Sequence, residues 1–294
     1  MFRVENRWPF YADSVKIEWN IGKRCNLDCT YCPADIHDNF SPHLNLATAK
    51  KTIDTVSTLK NARVSLTGGE PCVHPEIEYI LMYLKENVNW VNVTTNGTRK
   101  AAWYLEQDVD HYVFSLHVED DSWNNRLGTI ISVVQQLQIP SHVNLMAHHN
   151  HMDRVKEAAY QFELNDVPFV IRRIRWTEKH DWFDDMKYNS ADLDFILKTS
   201  STAKPNTLID NFWLDHTNDI IKNNKNNFKD WVCRAGIESL MINNDGEVFR
   251  ATCRVGGSLG NIYTGTFNIP KEEIVCTRNW CTCAADVNIT KWKQ

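Results

Sequence analysis

The sequence predicts an α/β fold, a partial (β/α)6 TIM-type barrel followed by a small C-terminal α+β domain. Three observations carry this. Six short β-rich runs alternate with helix-like segments between residues 15 and 174, and such alternation builds βα units on a parallel sheet. The stretch from Trp176 to Asp230 loses the pattern and is rich in Asp, Asn and aromatic residues. From Trp231 the texture changes again, to close-set strands around a tight turn. Six βα units also suit a doubly wound sheet, and periodicity alone leaves both open.

The predicted strands are Val15–Ile21 (VKIEWNI), Arg63–Leu66, Trp90–Thr95, Tyr112–His117, His142–Met146 and Phe169–Ile174. Helical apolar spacing marks Leu46–Leu59, Ile77–Asn87, Thr129–Gln138 and Met152–Leu164. Thr199–Thr207 (TSSTAKPNT) has linker composition. Ser239–Asn243, the turn Asn244-Asp245-Gly246 and Glu247–Arg250 read as a hairpin. The expected division is a barrel over residues 1–200, a linker region over 201–230 and a C-terminal domain over 231–294.

Composition narrows the function. The net charge of −5 gives no sign of a nucleic-acid-binding surface. No run approaches the roughly 18 apolar residues of a membrane span. The N-terminus lacks the apolar core of a signal peptide, so the expected location is cytoplasmic. In a reducing compartment nine cysteines point to metal or catalysis rather than disulfides. They form two groups, an early one (Cys25, Cys29, Cys32, Cys72) and a late one (Cys233, Cys253, Cys276, Cys281, Cys283), with 160 cysteine-free residues between.

CNLDCTYC, residues 25–32, follows the first strand directly. Barrel enzymes keep their chemistry at the C-terminal ends of strands. A [4Fe–4S] cluster takes four thiolates, so three with no local fourth leave one iron open. A zinc site completed by His37 is the plainer alternative. The second strand ends in Thr67-Gly68-Gly69-Glu70-Pro71. Glycines there allow a close backbone approach, or simply make a turn. Cys72 is expected to be a small buried hydrophobe.

The C-x3-C-x2-C spacing, with Tyr31 before its last cysteine and Gly68-Gly69-Glu70-Pro71 after the next strand, resembles the radical SAM superfamily. The resemblance implies that Cys25, Cys29 and Cys32 hold a [4Fe–4S] cluster whose open iron binds S-adenosylmethionine (SAM). It implies SAM contacts from Tyr31, Gly68, Gly69, Glu70, Pro71, Thr95, Asn96, Ser115, His117 and Arg173. Thr94, Arg172 and Arg175 are further candidates. It also implies reductive cleavage of SAM to a 5′-deoxyadenosyl radical, with an electron from a reductant such as flavodoxin or ferredoxin. His148, His149 and His151 form either a polar loop or a substrate contact.

The late cysteines, set around the hairpin and followed by Gly260-Asn261-Ile262, resemble the SPASM/Twitch extension of that superfamily. This implies an auxiliary [4Fe–4S] cluster. Cys233, Cys253 and Cys281 are the expected ligands, with Cys276 or Cys283 as the fourth. A zinc ribbon is the alternative. The expected function is a net oxidation of a small-molecule or short peptide substrate by a radical SAM oxidoreductase. A maturase that cross-links a ribosomally made peptide is a narrower form. A non-enzymatic zinc-binding interaction protein is the contrasting class. Trp176, Trp182 and Phe183 could line a substrate pocket or pack a seam.

Overall fold

A computed structural model describes residues 3–4, 13–174, 188–199, 225–281 and 283–293. Arg175, Trp176, Trp182, Phe183 and nearly all of the linker region lie outside these residues.

The strands are β1 (Arg3–Val4), β2 (Lys16–Asn20), β3 (Arg63–Thr67), β4 (Trp90–Thr95), β5 (His111–Leu116), β6 (Ser141–Ala147) and β7 (Phe169–Arg173). Between them come α1 (Leu46–Ser57), α2 (Ile77–Asn87), α3 (Ala101–Glu106), α4 (Trp123–Gln136) and α5 (Met152–Leu164), and after them α6 (Ser190–Lys198). The C-terminal part adds β8 (Val232–Cys233), β9 (Ser239–Ile242), β10 (Glu247–Phe249), β11 (Ser258–Asn261), β12 (Ile274–Val275), α7 (Ala284–Val287) and β13 (Lys291–Trp292). All six predicted barrel strands form. The short helices α3 and α6 were not legible, because neither is long enough to repeat its apolar spacing.

The larger sheet has the order β11-β10-β9-β2-β3-β4-β5-β6-β7. The β2–β3, β5–β6 and β6–β7 pairings are parallel, as βα units require. This is the partial-barrel α/β fold. By contacts the chain divides into two units: residues 1–26, 35–92 and 213–294, and residues 27–34 and 93–212.

In the first unit, Asn45 caps α1 by accepting from the Thr48 N–H, and Ala49, Thr52, Ile53 and Val56 form its buried stripe. The predicted hairpin forms as β9 and β10, with Val248 opposite Ile242. Its strand β9 lies parallel to β2. Nothing in the hairpin's own pattern shows that pairing, because Leu240, Met241 and Ile242 are buried without alternation. A second sheet, β1-β13-β8-β12, is built of two-residue strands.

In the second unit β5 alternates strictly. Tyr112, Phe114 and Leu116 are fully buried, and the intervening residues are half-buried. Tyr104 of α3 packs edge-on against Tyr112 and Phe114.

Candidate active site

The first unit holds Cys25 and the glycine turn. β2 ends at Asn20, and the chain continues through Gly22, Lys23 and Arg24 to Cys25. That stretch is tied to the turn after β3. The Gly69 N–H donates to the Gly22 carbonyl at 2.8 Å, and the Glu70 N–H to the Arg24 carbonyl at 2.9 Å. A Cβ on Gly69 would stand 2.1 Å from the Lys23 oxygen and 2.4 Å from the Arg24 oxygen. At Gly68, with φ +137°, it would stand 2.5 Å from the Gly22 oxygen. The glycines are therefore required by backbone of the chain itself. Glu70 is 3% exposed, and its carboxylate accepts from the Cys72 N–H at 2.8 Å, capping the 3-10 turn Pro71–Val73. Cys72 is buried, as expected. The Asn20 side-chain oxygen is buried and has no hydrogen-bond partner among the described residues.

The second unit holds Cys29, Tyr31 and Cys32. His117, just past β5, sets its Nδ1 3.5 Å from the Cys29 sulfur and 2.5 Å from the Tyr31 hydroxyl. Burial, then the Cys29 thiol, raises the Tyr31 phenol far above its ordinary range, so the phenol is neutral and can donate to that nitrogen. Glu119 accepts from the Thr30 N–H at 3.0 Å. Its other oxygen lies 3.8 Å from His148 Nε2. Glu119 was not legible in the sequence; its only signal was a position just beyond a strand's C-terminal end.

Arg126 of α4 holds this strand end in place. It is 4% exposed and donates to the His117 carbonyl at 2.6 Å and to both carboxylate oxygens of Asp120. Burial pushes the Asp120 carboxyl up, but bonds from Arg126 and Ser122 prevail and lower it to about 2. A depressed carboxyl stabilises the fold above its ordinary pKa of 3.8, and this is lost as pH falls towards 2. Arg126→Met should cost about 2 kcal/mol in urea unfolding at neutral pH. The deficit should shrink between pH 4 and pH 2; one that is constant with pH would show that the ion pair is not its source.

Strand register sorts the remaining candidates. Ser115 pairs with Asn144, and Met146 with Arg172. Ser115, Asn144 and Arg172 therefore share a face, and Arg172 Nε donates to the Asn144 side chain at 2.9 Å. Arg173 pairs with Ala147, on the opposite face. Thr95 is also on the other face from its neighbour Thr94; it is 1% exposed, and its hydroxyl lies 3.3 Å from that of Tyr104. Asn96 accepts from the Thr98 N–H and hydroxyl, closing the turn after β4.

Residues 19–139 match the radical SAM superfamily. These residues form a radical SAM domain. The antilisterial bacteriocin subtilosin biosynthesis protein AlbA of Bacillus subtilis is 24% identical, over 84% of this chain and 58% of its own length. GTP 3′,8-cyclase of Chlorobaculum tepidum is 32% identical, over 40% of this chain and 36% of its own. Fe-coproporphyrin III synthase of Methanosarcina barkeri is 30% identical, over 28% of this chain and 21% of its own. The chain thus spans between 21% and 58% of the length of these curated relatives. Among solved structures, anSMEcpe with bound AdoMet superposes with a TM-score of 0.59 at 16% identity, over 86% of this chain and 79% of that one. Streptococcus suis SuiB bound to precursor peptide SuiA gives 0.58 at 14% identity, over 87% and 64%. At such identities the likeness is one of fold.

Radical SAM domains use a [4Fe–4S] cluster and SAM. The donor set of this one fits: Cys25, Cys29 and Cys32 are half-buried thiols on one loop, none of them in a disulfide. Among the described residues no three His, Cys, Asp or Glu side chains gather as ligands of a single ion. A cluster asks for something else, one thiolate at each of several irons.

The late cysteines surround the small sheet. Cys233 lies in β8, opposite Ile274 of β12 and Lys291 of β13. Cys276 follows β12, its N–H donating to the Trp231 carbonyl at 2.8 Å. The Cys253 N–H donates to Asp286 at 2.9 Å. The Cys281 N–H donates to the Asn226 carbonyl at 2.8 Å. Burial pushes the Cys233 thiol up and the Lys291 ammonium draws it back, while Cys276 adds a smaller upward push. Burial raises Cys253 too, with contributions from Asp286, Cys233 and Cys276. Cys281 is pushed well up by burial and also feels Cys253. Cys233, Cys253 and Cys276 thus stand within electrostatic reach of one another, and Cys281 within reach of Cys253. Cys283 couples to Cys281, and its sulfur faces the Thr252 hydroxyl at 3.7 Å. Burial, then Asp286, pushes it up to about 12.

Proposed function

We propose that this chain is a radical SAM enzyme that oxidises a short peptide, with Cys25, Cys29 and Cys32 holding the SAM-cleaving [4Fe–4S] cluster. A second [4Fe–4S] cluster sits on Cys233, Cys253, Cys276 and Cys281. The single observation behind the peptide reading is the reach of the similarity to AlbA, a bacteriocin biosynthesis protein. It extends over 84% of the chain, whereas the GTP 3′,8-cyclase of C. tepidum matches over 40%. Cys276 is preferred to Cys283 as the fourth late ligand because it acts on both Cys233 and Cys253.

When bound, these groups supply cleavage of SAM to methionine and a 5′-deoxyadenosyl radical that takes hydrogen from the substrate, and a second electron acceptor that makes the net reaction an oxidation. The chain's part is positioning. His117 and Tyr31 orient the loop beside Cys29, Glu119 holds it at Thr30, and Arg126 fixes the strand end carrying His117. Ser115, Asn144 and Arg172 present a polar face suited to the hydroxyls and carboxylate of SAM. Gly68, Gly69, Glu70 and Pro71 shape the turn for its amino group.

The test is anaerobic reconstitution, an iron and sulfide count, and 5′-deoxyadenosine formation from SAM with dithionite. About eight irons and SAM cleavage are expected. Zinc without cleavage would leave a metal-stabilised binding protein instead. Substrate class is read by isotope transfer. Deuterium should pass to 5′-deoxyadenosine from the peptide fraction of a deuterated extract; transfer from the small-molecule fraction alone would move the assignment to a metabolite.

A further inference from the structure

Lys291 lies in the interior, 2% exposed. Register places it beside Cys233 on one face of the small sheet. Its Nζ donates to the carbonyls of Asp286 at 2.7 Å and Val287 at 2.9 Å. The same nitrogen lies 4.7 Å from the Phe228 ring centroid. Both hydrogen bonds go to backbone carbonyls, and among the described residues no ion pair joins Lys291 to a carboxylate.

A buried ammonium whose neighbours are two carbonyls and a ring is costly unless negative charge lies near. Its cysteine neighbours are Cys233, by register, and Cys281, which packs on the same Phe228 ring; its acidic neighbour is Asp286, whose carbonyl it bonds. A cluster bound as thiolates at those cysteines sets several further negative charges beside the ammonium.

We propose that Lys291 is the fixed counter-charge of the four-thiolate group formed by Cys233, Cys253, Cys276 and Cys281, and that it raises the reduction potential of the cluster held there. This rests on the auxiliary-cluster reading above. The physical reason is direct: an electron added to an anionic cluster is stabilised by a cation that cannot move away, in a medium that screens poorly. Net charge around a cluster is one of the determinants of its potential. Lys291 is thus a tuning residue, which takes no part in bond making.

The experiment uses the full chain with Cys25, Cys29 and Cys32 replaced by alanine, so that only the late cysteines bind iron. About four irons there support the parent reading; zinc or no metal overturns that reading before Lys291 is at issue. Lys291→Gln keeps a donor for the carbonyls and removes the charge. Lys291→Arg keeps the charge. In a redox titration followed by electron paramagnetic resonance, Lys291→Gln should lower the reduced-to-oxidised ratio at fixed potential about tenfold, a shift of about 59 mV for one electron. Lys291→Arg should stay close to the parent. Full iron with an unchanged potential in Lys291→Gln overturns the proposal. If Lys291→Gln holds no iron, Lys291→Arg decides. A loaded arginine variant supports the charge; an unloaded one shows that only the lysine's shape was needed, and the proposal fails.

Discussion

Replacement of Cys25, Cys29 and Cys32 by alanine is expected to abolish 5′-deoxyadenosine formation and to remove about four of about eight irons. The structure separates this effect from unfolding. All three thiols are half-buried, on a loop between β2 and α1. The fold needs little from them: small-to-small changes on a partly exposed loop, outside the packed core, usually shift stability by less than about 1 kcal/mol. The cluster-free variant should therefore melt where the cluster-free parent does. Cys281 is the contrast. It packs with Val4, Phe228 and Val287, so its removal should cost both iron and stability. A triple variant that still cleaves SAM would sink the ligand assignment. One that loses all iron would show that the two cysteine groups do not bind independently.

Gly69→Ala is the second large effect. The added methyl would meet the Lys23 oxygen at 2.1 Å and the Arg24 oxygen at 2.4 Å. Both are backbone atoms, so no side-chain rotation relieves the clash. The Gly22–Arg24 stretch must move, which breaks the hydrogen bonds from the N–H groups of Gly69 and Glu70. Destabilisation of about 3 kcal/mol is expected from urea unfolding of the cluster-free protein. Cys25 follows Arg24 directly, so SAM cleavage should fall as well. Gly22→Ala is the control, because a Cβ there meets none of the described residues within 4 Å. Equal stability of the two variants would show that the close approach does not constrain this loop.

The β/α alternation of the sequence determined the six barrel strands, because strands and helices this regular declare their own period. The C-x3-C-x2-C and Gly-Gly-Glu-Pro segments, each after a strand, determined the chemistry, since spacing along a loop survives any packing. Cys72 was legible as a core residue for the same local reason. Tertiary structure decided what depends on partners distant in the chain. Register put Arg172 rather than Arg173 on the face of Ser115, and turned Thr95 towards Tyr104, because one residue along a strand reverses the side. The glycine turn proved to be shaped by Lys23 and Arg24, more than forty residues earlier in the chain. The small sheet could not be foreseen, since its two-residue strands carry no period. That sheet sets Lys291 beside Cys233, and brings Cys276 within electrostatic reach of Cys233 and Cys253. Local pattern named the chemistry; pairing between distant segments chose which side chains reach it.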